Sequence, residues 1–145
     1  MIKIKIKKLK KNAIIPKYMT PQSAGLDIYA CLESKIVLKP GERKLIPTGI
    51  AISIPEGYEA QIRPRSGLAF KYGIMPINTP GTIDADYRGE IMIILGNLGE
   101  KEFIIYHGDR IAQMVINKIE KIEFLEVEEL DSTKRGEGGF GSTGI

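Results

Sequence analysis

The chain has 145 residues, 43% hydrophobic and 27% charged, with a formal net charge of +3. That is enough for one domain burying roughly 70% of its unfolded surface, and the longest apolar run, residues 91–95, falls far short of the ~20 residues that span a bilayer. The modest charge argues against bulk attraction to nucleic acid, and a single cysteine with a single histidine excludes an internal disulfide and a His/Cys zinc site.

From the N-terminus, residues 2–9 alternate isoleucine with lysine at the period of a half-buried strand. That alternation lacks the apolar block of a signal peptide and the Arg/Ser-rich make-up of a transit peptide. With Cys31 as the lone thiol, a reducing, cytoplasmic setting is expected. Further strands are predicted over 35–38, 44–47, 51–54, 58–63, 90–95, 102–106, 110–116 and 122–127, divided by Pro40-Gly41, Thr48-Gly49, Pro55-Glu56-Gly57, Gly96-Asn97-Leu98-Gly99 and His107-Gly108-Asp109. Only 66–72 reads as a helix, with Ser66 as its N-cap and Gly73 as its stop. Many short strands with regular turns predict an all-β, antiparallel, jelly-roll-like sandwich or barrel. Domain limits follow: a β domain over 1–134, and a mobile C-terminal arm over 135–145. Five glycines fall within 136–144, where Phe140 is the one large apolar side chain, too little to build a core.

Five clusters break the apolar pattern. They are Ala24-Gly25-Leu26-Asp27, Pro64-Arg65-Ser66-Gly67-Leu68-Ala69, the run from Gly81 through Ile83, Asp84, Asp86 and Tyr87 to Glu90, Gly108-Asp109-Arg110-Ile111-Ala112-Gln113, and the arm from Arg135 through Phe140, Gly141, Ser142 and Thr143 to Gly144. At the third, strand alternation would put Asp84 and Asp86 on one face and Ile83 and Ala85 on the core side. A carboxylate beside a phenol ring can orient a water and support a sugar. At the second, a helix start preceded by the forked cation Arg65 suits phosphate oxygens. The arm formally satisfies G-x-G-x-x-G, but no strand–helix unit follows in the few residues that remain, so it is not a dinucleotide fingerprint. Cys31 reads as a buried small apolar residue, and His107 as a surface turn residue.

In this order and spacing, over residues 24–144, the five clusters resemble the motifs of the trimeric deoxyuridine triphosphate nucleotidohydrolases (dUTPases). The resemblance implies hydrolysis of dUTP to dUMP and pyrophosphate by in-line attack of water on the α-phosphorus. Asp84 would hold that water and touch the 3′-hydroxyl, with Gln113 reaching the water and the phosphates. Arg65, Ser66 and Gly67 would contact the triphosphate, while Asn78 and the backbone around Ile83 pair with the uracil edge. Tyr87 would pack beneath the deoxyribose and exclude a 2′-hydroxyl. Asp27 would help place Mg2+ through its waters, Asp86 would support polar contacts, and Arg110 would be partly structural. In the arm, Phe140 would cover the base while Arg135, Ser142 and Thr143 hold the γ-phosphate, and Gly141 would also line the bound substrate. The resemblance also implies a homotrimer with shared sites: one subunit's uracil hairpin and Asp27, a neighbour's Arg65, Ser66 and Gln113, and the third subunit's arm.

Two other readings stay open on the sequence. A dCTP deaminase shares the fold, although its family is usually longer and departs from the Asp84 cluster and the arm. A non-enzymatic sandwich could instead bind nucleic acid through Lys3, Lys5 and Lys7, which the solvated outer face of a strand explains equally well.

Overall fold

The computed structural model describes all 145 residues. Its strands are β1 (Lys5–Lys8), β2 (Lys17–Tyr18), β3 (Leu26–Tyr29), β4 (Ile36–Leu38), β5 (Arg43–Pro47), β6 (Ile50–Ser53) and β7 (Tyr58–Arg63). One helix, α1 (Ser66–Tyr72), precedes β8 (Ile74–Pro76), β9 (Gly81–Ile83), β10 (Met92–Asn97), β11 (Phe103–Ile105) and β12 (Arg110–Lys118). All pairings are antiparallel. The largest sheet runs β2-β3-β12-β7-β9, and the smaller ones are β5-β10-β8, β11-β4 and β1-β6. Non-consecutive neighbours in every sheet give the jelly-roll-like, all-β architecture expected from the spacing of turns.

The core lies between the sheets and is mostly isoleucine. Ile28, Ile46, Ile74, Ile105 and Ile111 are almost fully enclosed, alongside Leu38 and Leu95. β-branched side chains lose little on a pleated surface, which is why so many can be used here. On β12 the alternation is interrupted: Ile111 and Ala112 are consecutive and both buried. The register against β3 shifts between Arg110 and Ala112. This bulge lets two successive residues turn inward and re-aims the flanking side chain. It sits directly beside Arg110.

Several expectations are corrected. No strand forms over 122–127, because the last backbone bond tying the chain to the sheets is Ile119 N–H to the Gly57 carbonyl, 2.9 Å. Beyond it the chain makes no backbone bond to any strand. The N-terminal strand covers only Lys5–Lys8, and its isoleucine face is not enclosed. Ile2 and Ile6 remain exposed and line an apolar groove with Ile15, Tyr18, Ile52 and Ile116. Ser66 is the first helical residue rather than the cap; Arg65 occupies the cap position, with extended backbone and no side-chain bond. Gly73 does end the helix, in the left-handed conformation at φ 68°. The expected turn at Asn97 is the end of β10. That buried amide donates to the carbonyls of Leu38 (2.9 Å) and Lys101 (2.8 Å) and accepts from Gly99 N–H (2.8 Å). Strands β2, β3 and β8 were not anticipated.

Candidate active site

The first group of site residues surrounds Asp27 on β3. This carboxylate, 8% exposed, lies between two guanidinium groups. Arg110 Nη1 donates to Oδ2 at 3.0 Å, and Arg65 Nε approaches Oδ1 at 3.5 Å. Arg65 Nη1 also donates to the Arg110 carbonyl at 3.1 Å, closing the network. One negative charge thus holds two positive ones, leaving the cluster with a net excess of cation. Gln113 stands directly opposite Asp27 in the β12–β3 register, and its Nε2 donates to the Pro64 carbonyl at 2.8 Å. The carboxamide passes so close to Gly25 that a Cβ there would meet its oxygen. Gly25 is therefore the space that Gln113 occupies. Ser66 and Gly67 open the helix, both exposed, with open space beside Gly67. No acidic residue and no capping side chain satisfy the first turn, so its amides remain available to an anion.

The second group is built on β9 and the turn after it. Ile62, Ile83, Ile91 and Ile93 form the apolar wall of a cavity of about 220 Å³, with Asn78, Asp84 and Tyr87 at its polar side. Asp84 also borders a wider hollow of about 580 Å³ that includes Asp86, Arg88, Tyr58 and Glu59. The two aspartates do share one hollow, but β9 ends at Ile83, so a turn and not strand pleating puts them there. Neither carboxylate takes part in a salt bridge. Arg88 folds back on the turn, where its Nη1 donates to the carbonyls of Ala85 (2.6 Å) and Tyr87 (3.0 Å). Its Nη1 is thereby engaged within the turn. The Tyr87 hydroxyl donates to the Glu90 carbonyl at 2.9 Å.

The third group is the arm. Its hydrogen bonds are local: Arg135 Nε to the Gly138 carbonyl, 2.8 Å, and Ser142 N–H to that of Gly139, 3.0 Å. Phe140 is fully exposed at φ 49°, in the left-handed region. The arm rests on neither of the other groups.

Within one chain Asp84 and Arg65 stand apart. Ile83 pairs with Ala60 on β7, so Asp84 lies beside the start of that strand, whereas Arg65 follows its end. Six residues of extended chain separate them by about 20 Å. The expected grouping also needs correction: Asp27 touches Arg65 of its own chain and so stands with Arg65 and Gln113 rather than with the hairpin. Sequence reasoning also missed the full part of Arg110 as Asp27's second partner, and the crowding at Gly25 and Gly89. Their signal was present as glycines inside each motif, but parity alone does not say which side chain fills the vacated space.

His107 is a turn residue as expected, and its Nδ1 accepts from Leu32 N–H at 3.1 Å. Cys31 is buried, and desolvation, assisted by the Glu90 carboxylate and opposed by Lys10, raises its thiol pKa above the ordinary value. No three His, Cys, Asp or Glu side chains converge as a metal cage. Magnesium keeps several waters and is typically held by few carboxylates plus substrate phosphates. Both Asp27 oxygens face guanidiniums, which leaves neither free to ligate such an ion directly.

The sequence matches the dUTPase family over residues 11–144. The chain belongs to the dUTPase family. Relatives named deoxyuridine 5'-triphosphate nucleotidohydrolase include that of Syntrophotalea carbinolica, 56% identical over 99% of this chain and 98% of that one. Another, from Anaplasma marginale, is 54% identical over 99% of each. Among solved structures, the dUTPase of Staphylococcus bacteriophage 80alpha with dUPNHPP superposes with a TM-score of 0.90 at 34% identity, covering 100% of both chains. A dUTPase variant from phage phi11 of S. aureus, whose structure describes coordination of a structural Mg(II) ion, gives 0.81 at 29% identity over 90% of this chain and 100% of that one. This dUTPase-family chain has no helix long and apolar enough to cross a membrane.

Proposed function

We propose that the chain is a dUTP diphosphatase, converting dUTP to dUMP and pyrophosphate and so limiting uracil in DNA while supplying dUMP for thymidylate synthesis. One observation carries the reading: Asp84, free of any salt bridge, stands at the mouth of an apolar cavity edged by Asn78 and Tyr87. The cavity takes the uracil ring, with Asn78 and the Ile83 backbone meeting its polar edge. Buried donors and acceptors set for uracil are mispaired by cytosine, and such mismatches discriminate strongly. Tyr87 supports the deoxyribose. Asp84 orients a water and accepts its proton as the water attacks the α-phosphorus, a contribution on the order of 10²–10⁴-fold. The larger share of the acceleration comes from positioning and charge neutralisation. Arg65, Ser66, Gly67 and Gln113 meet the phosphates. Asp27 would hold a Mg2+ ion through the ion's waters, and such an ion would supply neutralisation of phosphate charge. Arg135, Phe140, Gly141, Ser142 and Thr143 close over the nucleotide as a lid, and Asp86 lends polar support at the hollow. We assign the reaction to the cytoplasm, consistent with an unpaired thiol at Cys31.

We read the assembly as a homotrimer. The ~20 Å that extended geometry puts between the Asp84 and Arg65 groups supports a site completed by a neighbour, with the third subunit's arm above it. A second support is the stretch 120–130, which forms no strand or helix. There Ile122, Phe124, Leu125, Val127 and Leu130 are all exposed, among Glu120, Glu123, Glu126, Glu128 and Glu129. Strand β1 offers Lys5, Lys7 and Lys8 beside an apolar groove and pairs with β6 alone. A neighbour's acidic strap on that open edge would pair opposite charges and cover both apolar surfaces.

The test is Asp84→Asn. Nucleotide binding by calorimetry should survive and turnover should fall by at least ~100-fold, as loss of a general base implies. Substantial retained turnover removes Asp84 from that role.

A further inference from the structure

The Tyr87 ring is held in place by more than its own backbone. Its hydroxyl donates to the Glu90 carbonyl at 2.9 Å, and the next residue, Ile91, is buried with its N–H bonded to the Ile50 carbonyl at 2.9 Å. The acceptor is therefore anchored to the core. At the other end, the Tyr87 N–H donates to the Asp84 carbonyl at 3.2 Å, and Arg88 braces the same turn. Between these points the hydroxyl end of the ring packs against Gly89. A Cβ at position 89 would fall within 2.4 Å of the Tyr87 hydroxyl oxygen, 2.6 Å of Cζ and 3.0 Å of Cε2. Gly89 is not among the glycines at positive φ, so its backbone conformation is open to any residue. The glycine is needed there for space alone, and the ring fills that space.

We propose that Gly89, together with the Tyr87 hydroxyl bond to the Glu90 carbonyl, determines sugar selection by fixing the plane of the Tyr87 ring. The inference rests on the reading of Tyr87 as the support beneath the deoxyribose. A ring 47% exposed would otherwise swing between staggered rotamers and yield to an added 2′-hydroxyl. Held at both ends, it cannot retreat, and a ribose must clash. Gly89 is thus a positioning residue that acts through Tyr87. An added methyl would push the ring back by roughly 1 Å to reach ordinary contact, a displacement of the size that costs ~100-fold when it misplaces a reacting group.

The experiment compares kcat/KM for dUTP and UTP in the full-length protein and in Gly89→Ala, Tyr87→Phe and Tyr87→Ala. The expected result is a dUTP-to-UTP preference at least ~10-fold lower in Gly89→Ala, with Tm little changed because the backbone is unstrained. Tyr87→Phe, which removes only the latch, should lose preference in the same direction, and Tyr87→Ala should lose the most. If Tyr87→Ala loses preference while Gly89→Ala and Tyr87→Phe stay within about twofold of the parent, a change too small to credit to a 1 Å displacement, the positioning role is overturned and the sugar support stands. If Tyr87→Ala itself keeps the preference, the sugar-support reading fails and this inference falls with it. Should Gly89→Ala not fold, Tyr87→Phe carries the test.

Discussion

Asp27→Asn changes one atom and removes the charge that holds two arginines. The mutant amide keeps the volume, but its NH2 end would face a guanidinium at 3.0 Å or at 3.5 Å. Breaking a fully buried ion pair by removing one partner costs ~3–5 kcal/mol. Here the side chains of Arg65 and Arg110 are 28% and 38% exposed, so water recovers part of the loss. The expected cost is about 1–3 kcal/mol, the range for leaving a buried polar group unsatisfied. Urea unfolding at fixed protein concentration measures it, since oligomer stability depends on concentration. A double-mutant cycle with Arg110→Met should give a coupling of about 1 kcal/mol or more. Arg65, no longer tethered, should also bind the triphosphate less well and raise KM for dUTP. A cost below about 0.3 kcal/mol, additive with Arg110→Met, would mean that the network is incidental.

Three further outcomes follow from the structure. Asn97→Ala should destabilise by about 1–3 kcal/mol, because it strands the Leu38 and Lys101 carbonyls and the Gly99 N–H; a change under about 0.5 kcal/mol, the size of an ordinary surface substitution, would contradict the account of that amide. The Cys31 thiol, pushed up by burial, should react with a maleimide or disulfide reagent far more slowly in native protein than in urea, and its reaction should rise only at higher pH than for a free thiol. Equal native and unfolded rates would refute the burial. Deleting residues 135–145 should leave the assembly intact by light scattering while cutting hydrolysis by at least ~10-fold, the least expected of a lid that sequesters the reaction. A dissociated assembly would make the arm structural instead.

Strand β7 was legible to the residue because its alternation is unbroken and both ends carry turn signals. Strand β3 was not, because Leu26–Tyr29 spends Asp27 on the site and follows a glycine emptied for Gln113. The same sacrifice of local pattern hid Arg110: the β12 bulge that aims it at Asp27 puts Ile111 and Ala112 both inward, which no simple period anticipates. Ser66 has the chemistry of a cap, but the backbone extends one residue earlier than propensity suggests, and Arg65 takes the position. The strand expected over 122–127 has the right side chains and lacks only a partner within its own chain. Pattern reports what a segment can pair with, and not which molecule supplies the pairing. The five motifs were legible one by one, although the contact of Arg110 with Asp27 was not. Their distribution into two groups and an arm was not, because that depends on strand order in the β2-β3-β12-β7-β9 sheet.

Pyrophosphate release from dUTP, dTTP, dCTP and UTP, measured in parallel with magnesium and with chelator, tests the central claim most directly. The account predicts rapid release from dUTP alone, sharply reduced by chelator. Comparable release from UTP or dTTP, or no release from dUTP by the intact assembly, would contradict it.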